Sequence, residues 1–113
     1  MADNKQYITQ PLENGNVLIS EDVIATIVTH AVSEVEGVAG LSNATIKNWG
    51  KGMRITISQN DALSIECNVI VYYGQSVFDA AKAVQAAIAS AVDSMTGITV
   101  STINVNVTGI IRK

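Results

Sequence analysis

A long helical pattern from Ser76 to Met95, closed by Thr96-Gly97, runs straight into the alternating stretch Ile103-Asn104-Val105-Asn106-Val107-Thr108. No other feature constrains the fold as much. A helix joining two extended runs lets a chain keep strands parallel while covering one face of their sheet. The extended run before it has the clearest alternation in the chain. Leu63, Ile65, Cys67, Val69 and Val71 share one side, and Ser64, Glu66 and Asn68 the other.

The rest of the chain fits around this unit. Ser76, with Asp79 three residues on, resembles a capping box, and Val77, Ala81, Val84, Ile88, Ala91, Val92 and Met95 make the core stripe of the helix. Ser20 is the expected N-cap of an earlier helix with Glu21 and Asp22 in its first turn, where the helix dipole favours acids. Its apolar side is Val23, Ile24, Ile27, Val28, Ala31, Val32 and Val35, and Gly37 is expected to end it. Val17-Leu18-Ile19 reads as a short strand after the Asn14-Gly15 turn, and Val38 to Lys47 as weakly patterned extended chain. Met53, Ile55 and Ile57 alternate with Arg54, Thr56 and Ser58, and a turn at Gln59 to Ala62 predicts a hairpin with the next strand. Ile98 and Val100 have the opposite parity to Ile103, which predicts an irregularity near Ser101-Thr102. The expected architecture is an α/β two-layer sandwich of the α+β class. Its mixed sheet has the element order β-α-β-β-β-α-β, with both helices on one face. Residues 1–13, which include the only proline, Pro11, are expected to be a loosely held arm on a single domain spanning 14–113.

Composition narrows the function classes. With 113 residues, 48% hydrophobic and five aromatics (one Trp, three Tyr, one Phe), the chain has enough for one core built from Val, Ile, Leu and Ala. A net charge of -3 opposes phosphate tracking, so nucleic acid is not an expected partner. A single cysteine, Cys67, permits no intrachain disulfide and suits a reducing, cytoplasmic home. The N-terminus lacks the pattern of a secretory signal, and no run has the ~20 apolar residues of a bilayer span, so direct membrane insertion is not expected.

Candidate sites are few. His30 lies off the apolar stripe one turn before Glu34 and reads as solvated, while Cys67 shares parity with Ile65 and Val69 and reads as a small buried residue. No catalytic, cofactor-binding or metal-ligating set emerges. Gly37-Val38-Ala39-Gly40 has the G-x-x-G spelling of a KH loop, and Lys47, Lys51 and Arg54 could serve such a nucleic-acid binder. Its middle residues are apolar, however, and it follows a helix into extended chain, which favours helix termination. Trp49 is either an exposed anchor or a lid over the core, and Tyr72, Tyr73 and Phe78 are either an aromatic patch or partly buried. Ala83, Ala86 and Ala89 reflect helix propensity or a close-approach surface. The uncovered sheet face is expected to show Arg54, Glu66, Asn68, Asn104 and Asn106 as a polar, nearly neutral wall. With Trp49 and the alanine face, it is the candidate partner surface.

Several segments together resemble the alkaline shock protein family, envelope stress response proteins of Gram-positive bacteria. In the first half these are Ile19-Ser-Glu-Asp-Val-Ile-Ala and Ala31-Val-Ser-Glu-Val-Glu-Gly-Val-Ala-Gly-Leu. In the second half they are Val69-Ile-Val-Tyr-Tyr-Gly, Ala83-Val-Gln, Met95-Thr-Gly-Ile-Thr-Val and Ile103-Asn-Val-Asn-Val-Thr-Gly-Ile. The resemblance covers residues 15–111 and departs at Asn60-Asp61-Ala62, where Asp-Gly is expected. It implies a cytoplasmic, non-enzymatic protein, with no catalytic residues or cofactor to carry over. Such a protein gathers at the membrane through a membrane-anchored protein partner and supports envelope homeostasis. Self-association is compatible with that role.

Overall fold

The computed structural model describes residues 7–42, 52–58 and 60–112. Along the chain run β1 (Tyr7–Leu12), β2 (Gly15–Ser20), α1 (Glu21–Ser33), β3 (Val38–Leu41), β4 (Met53–Ile57), β5 (Leu63–Tyr72), α2 (Val77–Thr96) and β6 (Thr102–Ile111). The class is α+β, with both helices on one face of the larger sheet.

That sheet is organised by β5. On one side β6 runs parallel to it, with Ile65 opposite Ile103 and Cys67 opposite Val105, the pairing that the α2 crossover permits. On the other side β4 and β3 lie antiparallel and end to end. β4 pairs from Ile57↔Leu63 to Met53↔Cys67, and β3 from Leu41↔Val69 to Val38↔Val71. Asn68 joins the two: its carbonyl accepts from Ser42 N at 2.8 Å, and its own N–H donates to the Gly52 carbonyl at 2.8 Å.

The core is aliphatic. Leu63, Ile65, Cys67, Val69 and Val71 of β5 are each at most 1% exposed and meet Ile24, Ile27, Val28 and Val32 of α1 and Val84, Ile88 and Val92 of α2. Burying a Val, Leu or Ile side chain contributes about 1.5–3 kcal/mol, so this single layer carries most of the driving force. Both helices start as the sequence predicts. Ser20 Oγ accepts from Val23 N at 3.3 Å and Ser76 Oγ from Asp79 N at 3.2 Å. Gly97, at φ 75°, closes α2 with its N–H on the Asp93 carbonyl at 2.8 Å.

Three expectations need correction. β2 pairs with β1 in a separate two-stranded sheet instead of joining the main one. Residues 7–12, read as part of a loose arm, are therefore a strand. Pro11 is tolerated because β1 is an edge, and Ile8, 2% exposed, anchors it in the core. Helix α1 ends at Ser33, where the Glu34 N–H bonds back to Ala31 and Val32, and does not run on to Gly37. Gly37, at φ 87°, instead turns the chain into β3 and offers its carbonyl to Tyr72 N at 3.0 Å. The expected irregularity near Ser101 is present, since Ile98 is buried and Ser101 N reaches the Leu63 carbonyl at 2.7 Å before β6 starts at Thr102. A second break falls at Thr108, between the pairs Val69↔Val107 and Ile70↔Gly109.

Candidate interaction surface

The sheet face away from the helices is assembled row by row through the strand register. Arg54, Glu66 and Asn104 lie in one row, Thr56, Ser64 and Thr102 in the next, and Asn68 opposite Asn106 in a third. Asn106 Nδ2 donates to Glu66 Oε2 at 3.1 Å and to Asn68 Oδ1 at 3.1 Å, tying two adjacent residues of the β5 polar side to β6. Arg54, Thr56, Ser64, Glu66 and Asn104 surround a shallow cavity of about 90 Å³.

Four of the residues expected on this wall are reachable. Arg54 and Asn104 are exposed, and Glu66 and Asn106 half-buried. Asn68 is a correction: it has the predicted facing but is 0% exposed, so it cannot itself touch a partner. Among the described residues its Nδ2 has no hydrogen-bond partner. An alternating pattern reveals which side a residue is on and not what lies over it. Ala83, Ala86 and Ala89 are exposed on α2, away from the sheet wall, so the two candidate surfaces lie on separate sides of the molecule. Trp49, Lys47 and Lys51 fall outside the described residues.

The remaining reactive groups are unremarkable in chemistry. His30 Nε2 lies 3.1 Å from Glu34 Oε2 on the surface of α1. Burial, and secondarily the Glu66 charge, push the Cys67 thiol up to about 11, the opposite of an activated nucleophile. Burial, then the neighbouring Asp22, raises the Glu21 carboxyl. Among the described residues no three His, Cys, Asp or Glu side chains converge on a metal position. A larger cavity, about 570 Å³, lies beside α1 and β3, away from the polar wall, and is lined by Ala25, Thr26, Thr29, His30, Ser33 and Leu41. The Gly37-Val38-Ala39-Gly40 segment passes from turn into β3, with Val38 buried, and so lacks the exposed helix-to-helix loop of a KH grip.

The sequence reading did not single out Tyr73 and Phe78 as cation partners. Arg112 lies 5.5 Å over the Tyr73 ring and Lys82 5.3 Å over the Phe78 ring, both rings being largely exposed. The i, i+4 spacing of Phe78 and Lys82 was a usable signal for one of these pairs.

Comparison with known proteins places this geometry. The fold resembles solved structures titled MamM CTD. One aligns with a TM-score of 0.57 at 16% identity, covering 78% of this chain and 93% of that one. Another, titled a nickel form, aligns with a TM-score of 0.59 at 15% identity, covering 78% and 96%. At such identity the likeness is one of fold. In sequence, the uncharacterized protein YqhY of Bacillus subtilis is 30% identical over 105 residues, covering 85% of this chain and 77% of its own length. The uncharacterized protein Spy1614 of Streptococcus pyogenes is 28% identical over 109 residues, covering 87% and 89%. Residues 9–112 match the alkaline shock protein 23 family, described by its cell envelope-related function, and the chain belongs to that family.

Proposed function

We propose that this protein is a non-enzymatic interaction and scaffolding module of the envelope stress response. It acts from the cytoplasm and is held at the membrane by a membrane-anchored protein partner. The observation that carries this is the sheet wall. Helices cover one face of β5, and the other presents Arg54, Glu66, Asn104 and Asn106 in register, cross-tied by Asn106 and organised around no reactive group. A rigid, polar, nearly neutral face favours docking over chemistry, and family membership supplies the envelope setting. None of the described helices is long and apolar enough to cross a membrane, so attachment through a second protein accounts for a role at the envelope. The acting unit is a single domain to which β1 belongs through Ile8 in its core.

In-cell photo-crosslinking from position 54, with position 86 on the exposed alanine face as the comparison, tests the reading. A single membrane-fraction protein adduct from position 54 that disappears with Glu66→Arg supports docking through the wall. An adduct from position 86 alone moves the working surface to α2, and none from either site removes the scaffold reading.

A further inference from the structure

The outer edge of the main sheet is β6, which pairs with β5 alone among the described residues. Its free side can be read from the hydrogen bonds. On β5 the core-facing residues turn their polar groups toward β6, since the Leu63 carbonyl accepts from Ser101 N at 2.7 Å. Asn68, of opposite parity, turns to the β3 and β4 side. β6 runs parallel with the same face toward the helices, so its core-facing residues Ile103, Val105 and Val107 turn their N–H and carbonyl groups away from β5. Gln85 Nε2, reaching the Ile103 carbonyl at 2.8 Å, agrees with this.

Between the irregularity at Ser101 and the register break at Thr108 the edge is regular and lacks charge and proline as protection against pairing. From Thr102 to Ile111 there is no charged residue and no proline. The stretch Thr102-Ile103-Asn104-Val105-Asn106-Val107-Thr108 also reads nearly the same in both directions about Val105. Turned antiparallel upon itself, it sets Thr102 opposite Thr108, Ile103 opposite Val107, Asn104 opposite Asn106 and Val105 opposite itself. Apolar residues then meet on the helix side and amides on the wall side. A two-fold contact requires this kind of self-complementary strip.

We propose that β6 pairs with β6 of a second copy, antiparallel about a two-fold axis through Val105, joining two sheets into one with all four helices on the same face. The outward groups of Ile103, Val105 and Val107 would make about six backbone hydrogen bonds across the axis. Gln85 competes with one of them on each copy, at the Ile103 carbonyl, and so tunes the contact. The pairing names one partner for the scaffold reading and is tested separately from it.

Sedimentation across protein concentration tests the pairing with three variants. Thr102 and Thr108 are both exposed and face each other across the axis, so Thr102→Glu with Thr108→Glu sets like charges opposite one another twice. The dissociation constant of the dimer should rise about tenfold. Thr102→Glu with Thr108→Lys carries the same substitution load but sets opposite charges together, and should restore or tighten the dimer. Gln85→Ala frees the Ile103 carbonyl and should tighten it. A chain that stays monomeric at millimolar concentration, wild type and Gln85→Ala alike, overturns the pairing. So does a dimer that the two charge designs shift equally. A monomer that still gives the position 54 adduct overturns the pairing while leaving the docking reading intact.

Discussion

The two sides of β5 were built from the same ten residues and solve different problems. Leu63, Ile65, Cys67, Val69 and Val71 vanish into one aliphatic core, while Ser64, Glu66, Ile70 and Tyr72 stay half-exposed and only Asn68 is fully covered. One side supplies burial free energy and tolerates no polarity. The other contributes little to folding, which leaves it free to carry recognition. The two flanks of β5 also differ, with β3 and β4 lying along one in two pieces and the single strand β6 along the other.

The sharpest way to break this contrast is to truncate neighbours on opposite sides. Ile65→Ala should cost about 2–5 kcal/mol, because a 1% exposed side chain leaves a cavity that a central strand packed beneath two helices cannot close. Ser64→Ala, one residue away, should stay within about 0.5 kcal/mol. Urea unfolding of both at one protein concentration checks the ratio. Comparable losses would mean that the polar side is also structural.

Cys67 sharpens the contrast through pH. Its thiol, raised from 9.0 to about 11, keeps its proton in the folded chain over a range where the unfolded chain gives it up. The unfolded state then binds fewer protons, so this contribution is intact below pH about 9 and is lost as pH climbs toward 11, on the order of 2 kcal/mol in all. Unfolding midpoints between pH 8 and 11 should fall more steeply for the wild type than for Cys67→Val, which differs by the loss of the thiol alone. Parallel slopes would show that the site admits the thiolate.

Much of this was legible in the residues because periodicity reports facing. The period of two in Leu63 to Val71 and the Val84, Ile88 and Val92 stripe of α2 disclosed the layers, the crossover and the polar wall, while Val77 and Met95, read into that stripe, are exposed. Other features escaped because they depend on long-range partners. β1 holds its place through Ile8 in the core and through Gln10 Nε2 on the Gly97 carbonyl at 3.0 Å, neither of which a local pattern reveals. Asp61, where Asp-Gly was expected, takes φ 64°, and its carboxylate accepts from Thr9 N at 3.4 Å, a contact that glycine could not make. The tandem placement of β3 and β4 on a single edge is likewise decided by what β5 offers, and the covering of Asn68 lies beyond any alternation.

The smallest effects divide the polar side itself. Asn106→Ala removes the donor shared by Glu66 and Asn68 and leaves the buried Asn68 amide oxygen without its partner. Leaving a buried acceptor unmet costs about 1–3 kcal/mol, and the lower end applies because Glu66 keeps access to water. Asn104→Ala, two residues along the same side of β6 and exposed, should change stability by less than about 0.5 kcal/mol. Both belong in one denaturation series at a single low concentration, since any self-pairing adds a concentration-dependent term. Equal and negligible effects would make the Asn106 tie ornamental and the wall a uniformly solvated surface. A loss confined to Asn106 would instead mark off a rigid polar strip, held by Asn106, from a free rim at Asn104 and Arg54, and it is that rim which a docking partner can use without disturbing the fold.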